Sequence, residues 1–177
     1  MPTTKKGTMT SKPEWGAIFD LDETLVLTSA IEPLRKKRVW PDVYAAFDKT
    51  QLPSGTLKFL RKVAEIAQPG VVTKSPRPYA ERLLAHHGIE LPVLAAYHDV
   101  TRIKPDPEAL LLASRKLGIP SARCIYVGDD GNDVQAAQAA GMTPLGVCWG
   151  EHVEIGLKSI SRTWDEAYEE IRRLLEG

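Results

Sequence analysis

The fold of this chain can be inferred outward from the segment Ala17-Ile18-Phe19-Asp20-Leu21-Asp22-Glu23-Thr24. It begins with three apolar residues, which indicate a buried strand, and two carboxylates and a threonine follow them. Because residues i and i+2 of a strand lie on one face, Asp20 and Asp22 are predicted to emerge side by side where the strand ends. A fold that keeps two such carboxylates usually binds a cation between them or holds one protonated. Taken alone, the stretch fits a strand followed by an acidic turn equally well.

The composition is that of a globular domain without a strong overall field. The chain has 177 residues, 43% of them hydrophobic, and its 23 basic residues balance its 23 acidic ones. Such a balance recruits neither nucleic acid nor an acidic membrane, and no apolar run approaches the roughly 20 residues that span a bilayer. Cys124 and Cys148 lie in apolar segments, so we expect thiols in a reducing, cytoplasmic setting. We expect no nucleic acid or membrane as a partner.

The chain divides into a short leader and one domain. Residues 1–13 are polar and are expected to form a disordered leader, and 14–177 are expected to form a single α/β domain. The least regular part, about 25–50, is interpreted as a small, mostly helical cap over the end of the first strand. It contains the basic cluster Arg35-Lys36-Lys37-Arg38. We interpret this cluster as a solvated face, and a role in gripping an anionic substrate is the alternative.

Beyond the cap, apolar strands alternate with amphipathic helices. The pair Ser75-Pro76 predicts a helix start, with a capping serine and a proline at the first helical position, and Thr163 and Glu166 predict another. Continuous apolar strands are typical of a parallel sheet covered on both faces, which binds ligands beyond the carboxyl ends of its strands. The strands predicted after the first are 71–73, 93–97, 124–127 and 144–149.

Polar side chains collect at these carboxyl ends. Acids, hydroxyls and a lysine from four separate loops are therefore expected to face one site. In chain order they are Asp20, Asp22 and Thr24; Thr73, Lys74 and Ser75; Lys104; and Asp129, Asp130 and Asp133.

These loops resemble, in order, the four motifs of the haloacid dehalogenase superfamily. The resemblance covers nearly everything from Ala17 to Trp149. It implies a three-layer Rossmann-like α/β fold with a small helical cap insert. It also implies a magnesium-dependent phosphomonoester hydrolase that acts on a small phosphorylated metabolite through an aspartyl-phosphate intermediate. The matching stretches are Asp20-Leu21-Asp22-Glu23-Thr24, Val72-Thr73, Lys104-Pro105 and Gly128-Asp129-Asp130-Gly131-Asn132-Asp133.

The resemblance assigns catalytic roles to four residues. Asp20 would be the nucleophile. Asp22 would protonate the leaving oxygen and then deprotonate the attacking water. Thr73 would hydrogen-bond the transferring phosphoryl group, and Lys104 would neutralise that group and hold Asp20.

The resemblance also implies a magnesium site. Mg²⁺ would be bound by Asp20, by the backbone carbonyl of Asp22 and by Asp129. Asp133 would hold the metal's water shell or the catalytic lysine. Asp130 is an extra acid that we expect behind the ligands or facing solvent.

Three further residues are expected on the substrate's side. Thr24 matches the phosphatase form of the first motif. Lys74 stands where many relatives carry asparagine, and its cation either touches the substrate's phosphate or a second acidic group, or points to solvent. Ser75 and the start of its helix add backbone donors suited to an anion.

Asp22 bears on the type of reaction. Dehalogenases of the superfamily lack an acid–base aspartate at this position, so Asp22 favours phosphoryl chemistry. One alternative is a phosphotransferase or phosphomutase, whose cap would have to exclude water. Another is a non-catalytic binding module, although a scaffold has no physical need for Asp20, Asp22, Lys104 and Asp129 together.

Overall fold

The computed structural model describes residues 11–150 and 155–177. Within them the chain forms a six-stranded sheet in which all neighbouring strands are parallel. Most of the predicted leader, 1–13, lies outside the described residues, so the division into a leader and the domain 14–177 stays a prediction.

The strands are β1 (Gly16–Phe19), β2 (Gln68–Val72), β3 (Leu94–Ala95), β4 (Cys124–Gly128), β5 (Thr143–Val147) and β6 (Ile160–Ser161). The α-helices are α1 (Glu32–Lys37), α2 (Trp40–Ala45), α3 (Thr56–Ile66), α4 (Arg77–His86), α5 (Glu108–Leu117), α6 (Gly131–Ala139) and α7 (Trp164–Glu176).

The strand order creates one point at which the winding of the sheet reverses. The order is β3-β2-β1-β4-β5-β6, so the chain runs outward from β1 on one side and returns to β4 on the other. Phe19 at the end of β1 lies level with Val71 of β2 and Val127 of β4. In open α/β sheets, ligands bind beyond the carboxyl ends of the strands at such a reversal. The loops after β1, β2 and β4 therefore converge there.

Both faces of the sheet are buried, as the apolar strands predicted. Along β1, Ala17 and Phe19 pack into one layer while Ile18 packs into the other, and all three are fully buried. Helices α3, α4 and α7 cover the first face, and α5 and α6 cover the second. On the first face the rings of Phe59 and Trp164 stack with centroids 4.1 Å apart, which joins α3 to α7. The predicted three-layer α/β fold is confirmed.

The helix starts follow the local sequence in one case and depart from it in another. The Thr163 hydroxyl accepts a hydrogen bond of 3.2 Å from the Glu166 N–H, so the predicted cap of α7 is confirmed. The prediction that Ser75 caps α4 is wrong, because Pro76 occupies the cap position and no side chain caps this helix. The Ser75 hydroxyl instead donates to Asp22 at 2.8 Å. The hydroxyl that the local sequence predicted as a helix cap is therefore used in a tertiary contact.

The segment after β1 forms a small helical insert. It is closed at its base by two backbone hydrogen bonds between Leu27 and Gln51, of 2.7 and 3.2 Å. Between them lie two short 3₁₀ turns and helices α1 and α2, and Arg38 turns the chain from one helix to the other with a φ of 58°. The rings of Trp40 and Tyr79 lie 5.9 Å apart, which packs the insert against α4 beside the carboxyl ends of the strands.

The two edge strands differ from the prediction. β3 is shorter than the 93–97 predicted, and the sequence pattern did not predict β6. Each comprises two residues at an edge of the sheet, which is too short for an apolar run to identify. Among the described residues, no helix is both long and apolar enough to cross a membrane.

Candidate active site

Asp20 is the first residue after β1 and lies at the reversal point. Its backbone N–H donates a hydrogen bond of 2.9 Å to the carbonyl of Val127, which fixes it against β4. Burial raises the pKa of the Asp20 carboxyl well above its usual range; Lys104 opposes this shift, and the carboxylates of Asp133 and Asp129 add to it. An ionised Asp20 at this position therefore needs compensating positive charge.

Lys104 supplies part of that charge. Its side chain is 1% exposed, in the loop that precedes α5. Its ammonium group donates to Asp20 Oδ1 at 2.7 Å, to Asp133 Oδ1 at 2.7 Å and to the Tyr126 hydroxyl at 2.8 Å, which uses all its protons. Burial lowers the pKa of Lys104, but the two carboxylates outweigh it and the net shift is upward. Lys104 is therefore held charged beside Asp20.

Asp133 lies in the first turn of α6 and holds both Lys104 and its own loop. One of its carboxylate oxygens accepts from Lys104, and the other accepts from the backbone N–H groups of Asp129 at 3.1 Å and Asp130 at 3.3 Å. Gly128 permits this close approach, because a Cβ there would lie 2.4 Å from the Asp133 carboxyl carbon. Of the two roles implied for Asp133, the structure contains the contact with the lysine.

Asp129 follows β4 and receives a hydrogen bond from the first motif. Burial raises the pKa of Asp129 to about 6, while a hydrogen bond from Thr24 opposes the shift. The Thr24 hydroxyl donates to Asp129 Oδ1 at 2.9 Å, and Thr24 is fully buried. The structure thus places Thr24 behind Asp129 and out of reach of a substrate, which differs from the position expected from the sequence.

Three carboxylates lie close enough together to hold a metal ion. Oxygens of Asp20, Asp129 and Asp133 lie within 4.8 Å of one another. Both oxygens of Asp133 are committed to Lys104 and to backbone N–H groups. Asp20 Oδ1 accepts from Lys104, and Asp129 Oδ1 accepts from Thr24. Because carboxylate oxygens are the donors that Mg²⁺ prefers, this pair fits a divalent cation.

The Asp22 side chain lies outside this carboxylate cluster. Its carboxylate accepts hydrogen bonds from three side chains and forms an ion pair with a fourth, all from the insert and the β2–α4 segment. It is 17% exposed. The donors are Thr28 Oγ1 at 2.9 Å, Ser75 Oγ at 2.8 Å and Tyr79 OH at 2.7 Å, and Arg35 Nη1 forms the ion pair at 2.9 Å. Asp22 therefore ties the insert to the loop after β2.

Thr73 follows β2 and presents a hydroxyl group. Its N–H donates to Ala95 of β3 at 2.9 Å, and its Oγ1 accepts from the Ser75 N–H at 3.0 Å. In 11–150 and 155–177, no hydrogen bond uses the proton of that hydroxyl, which leaves it to donate to a ligand. The Ser75 N–H donates to Thr73 in this structure, and the anion-binding role expected of Ser75 and the start of its helix stays a prediction.

Lys74 and Asp130 form the more exposed side of the site. Their charged groups lie 3.8 Å apart, with side chains 39% and 44% exposed. Asp130 also caps α6, since its Oδ1 accepts from the Asp133 N–H at 3.0 Å. Asp130 therefore caps α6 and faces solvent beside the carboxylate pair.

Two tyrosines of the site were not predicted from the sequence. Tyr126 contacts Lys104, and Tyr79 contacts Asp22, each through its hydroxyl group. Both are almost fully buried in apolar layers of the core, where a tyrosine resembles any other core aromatic residue. The sequence offers one signal that could have identified such residues: a tyrosine close to a strand end that is followed by acidic residues.

Comparison with known proteins agrees with this geometry. The model of haloacid dehalogenase-like hydrolases matches residues 35–141. Phosphoglycolate phosphatase from Pectobacterium atrosepticum is 40% identical over 106 residues, which are 55% of this chain and 45% of that protein. N-acetylmuramic acid 6-phosphate phosphatase from Pseudomonas aeruginosa is 41% identical over 83 residues, 46% of this chain and 37% of that protein. The matched part of the chain thus spans less than half the length of these curated relatives.

Solved structures share the fold at lower sequence identity. A HAD phosphatase from Thermococcus onnurineus has a TM-score of 0.74 at 21% identity, covering 89% of this chain and 97% of its own. A hydrolase from Pseudomonas syringae has a TM-score of 0.74 at 17% identity, covering 92% and 99%. Together with the family match over more than half of its residues, these findings show that the chain belongs to the haloacid dehalogenase-like hydrolase family.

Proposed function

We propose that this protein is a magnesium-dependent phosphomonoester hydrolase that acts on a small phosphorylated metabolite through an aspartyl-phosphate on Asp20. The observation that carries the proposal is the buried group formed by Asp20, Lys104, Asp129 and Asp133 at the reversal point. The names of the relatives support the reaction class. Phosphoglycolate phosphatase and N-acetylmuramic acid 6-phosphate phosphatase are both named for the removal of phosphate from a small molecule.

The charges around Asp20 suit attack on a phosphate ester. A carboxylate that approaches a phosphate dianion meets like-charge repulsion, which positive groups must offset. Lys104 provides one fixed positive charge at 2.7 Å from Asp20. Attack by Asp20 forms a bond from its carboxylate oxygen to phosphorus and breaks the ester bond to the leaving oxygen. Hydrolysis of the acyl phosphate then restores the carboxylate, so one hard displacement becomes two easier ones.

Asp20 and Asp129 would hold magnesium, together with the backbone carbonyl of Asp22. When bound, Mg²⁺ would neutralise charge on the phosphoryl oxygens. Thr24 orients Asp129 through its 2.9 Å hydrogen bond. Asp133 would act on the site through Lys104 and through the backbone of its loop.

Asp22 and Thr73 would act on the substrate. Asp22 would give a proton to the leaving oxygen and later take one from the attacking water, with its carboxyl group oriented by three hydrogen-bond donors and by Arg35. Thr73 would donate its remaining hydroxyl proton to a phosphoryl oxygen.

Turnover of p-nitrophenyl phosphate tests this proposal. We expect release of p-nitrophenol with Mg²⁺, its loss when EDTA is added, and its loss in Asp20→Asn. Asp165→Asn is the matched control, because Asp165 is an exposed carboxylate in the first turn of α7 and should retain activity. Equal turnover in Asp20→Asn and the control would contradict the role of Asp20. Phosphate transfer to an added alcohol in preference to water would favour a phosphotransferase.

A further inference from the structure

The basic cluster at residues 35–38 is split by the structure into two kinds of side chain. Lys36 pairs with Glu32 at 2.8 Å on the surface, where both are more than half exposed. Arg35 and Arg38 instead line a cavity of about 340 Å³ that also contains Lys74. Three cations thus face one concave space, whereas the sequence alone favoured a solvated face for the whole cluster.

Three segments of the chain build this cavity. Trp40 comes from the insert, Ser75 and Pro76 from the β2–α4 loop, and Tyr97 and His98 from the turn after β3. The turn is fixed to the loop, because the Tyr97 N–H donates to the Ser75 carbonyl at 3.1 Å. The turn is also held by a salt bridge between Arg77 and Asp99. The walls are therefore set by contacts among secondary-structure elements.

The cavity begins where the leaving group of a substrate would lie. Ser75 forms part of its lining and donates to Asp22 at 2.8 Å. Arg35 also lines it, and lies 2.9 Å from the same carboxylate. Because Asp22 is the proposed proton donor to the leaving oxygen, the part of the substrate beyond that oxygen should extend into this space.

A second cavity of similar size lies on the other side of the site but carries the wrong charge. It has a volume of about 350 Å³ and is lined by Glu23 and Asp129 among others. Asp129 is a proposed magnesium ligand, so Glu23 is the acid that would face an anionic leaving group there. Electrostatics therefore favour the cavity lined by Arg35, Arg38 and Lys74.

Two of the three cations remain available to a ligand. Arg35 is engaged with Asp22 and Ser75. The Arg38 side chain is exposed, and its guanidinium makes no hydrogen bond or ion pair with any residue in the described ranges. Among residues 11–150 and 155–177, the Lys74 ammonium group makes only a 3.8 Å pair with Asp130, and pairs this exposed contribute little.

We propose that this cavity binds the leaving-group part of the substrate, and that this part carries a second anionic group bound by Arg38 and Lys74. The inference rests on the proposed function for its orientation of the substrate. A carboxylate or a second phosphate satisfies the same chemistry, since both accept charge-assisted hydrogen bonds from arginine and lysine. A volume of about 340 Å³ matches a small metabolite, with Trp40 and Tyr97 packing against its carbon skeleton.

Binding of non-hydrolysable phosphonates tests this proposal. Three series of two to four carbons are compared by calorimetry with Mg²⁺ present: alkylphosphonates, phosphonocarboxylates and alkylene diphosphonates. For at least one length, we expect the second anionic group to tighten binding by about tenfold or more. The series that gains more identifies the carboxylate or the phosphate as the preferred group.

Charge-removing variants locate the effect. Arg38→Gln and Lys74→Gln should each lose most of the gain. Lys37→Gln should keep it, because Lys37 is exposed at the end of α1, directly before Arg38, and does not line the cavity. Equal affinity of the three series for the wild type, or the same loss in Lys37→Gln as in Arg38→Gln, would overturn the proposal.

Turnover of p-nitrophenyl phosphate, which has no second anionic group, separates this proposal from the proposed function. If the enzyme turns over p-nitrophenyl phosphate but the second anionic group does not tighten phosphonate binding, the anion site is refuted and the hydrolase is supported. A gain without turnover refutes the hydrolase and supports the anion site, because the binding measurement requires no reaction.

Discussion

Lys104 and Asp20 lie 84 residues apart in the sequence, and the Lys104 ammonium group donates a 2.7 Å hydrogen bond to an oxygen of Asp20. This contact joins the end of β1 to the loop before α5, across the point where the sheet reverses. Both groups are removed from water, so neither charge is tolerated there without the other. The pair therefore links the stability of the fold to the chemistry of the site.

Replacement of Lys104 should damage both stability and activity. Lys104→Met leaves Asp20 and Asp133 buried without a cation, which we expect to cost about 3 kcal/mol in the free energy of unfolding. Urea denaturation measures this change, and p-nitrophenyl phosphate turnover should fall below detection. The control is Lys58→Met, an exposed lysine of α3. Similar stability and turnover in the two variants would show that the pair matters little.

Loss of the Thr24 hydroxyl should weaken the metal site. Thr24→Val keeps the shape of a fully buried side chain but removes the hydrogen bond to Asp129. Groups that orient metal ligands typically contribute tenfold or more to metal affinity, so the Mg²⁺ concentration for half-maximal activity should rise by about tenfold. A raised KM for the substrate with an unchanged Mg²⁺ requirement would instead support the substrate-binding position expected from the sequence.

Magnesium binding should weaken in acid. Burial raises the pKa of Asp129 to about 6, so in the metal-free protein this carboxyl is protonated below that pH. A proton and a metal ion compete for the same oxygens, so affinity for Mg²⁺ should fall as the pH drops through about 6. Calorimetric Mg²⁺ titrations at about pH 5 and about pH 8 measure the difference. Equal affinity at both values would place Asp129 outside the metal site.

Removal of the Tyr79 hydroxyl should affect proton transfer selectively. Tyr79→Phe deletes one of the three hydrogen-bond donors that orient Asp22. Alkyl phosphates have poor leaving groups that need protonation, so their kcat should fall by about tenfold, with a smaller fall for p-nitrophenyl phosphate. Tyr44→Phe is the control, because Tyr44 packs against Trp40 and has no hydroxyl contact in the site. An equal fall for both substrates would indicate a structural role only.

Residues that directly follow a strand could be predicted from the sequence. Asp20, Thr73 and Asp129 each occupy such a position, and strand ends are marked locally by the change from apolar to polar residues. The parallel sheet covered on both faces could also be predicted from the sequence, because β1 is buried on both faces and is a continuous apolar run.

Contacts between distant elements could not be predicted in this way. Tyr79 reaches Asp22 across 57 residues, and this contact depends on the strand order and on the packing of the insert. Ser75 carried a clear helix-capping signal, yet its hydroxyl is used on Asp22. Thr24 likewise carried the family's motif, but only its burial reveals that it supports Asp129.

The most direct test of the account is to trap the phosphoryl group on the enzyme. Wild-type protein turning over p-nitrophenyl phosphate with Mg²⁺ is quenched in acid, digested and analysed by mass spectrometry. We expect a phosphorylated peptide that contains Asp20. The Asp20→Asn variant, treated in the same way, should yield no such phosphorylated peptide. Steady turnover with no phosphorylated peptide, or with the phosphoryl group on another residue, would contradict it.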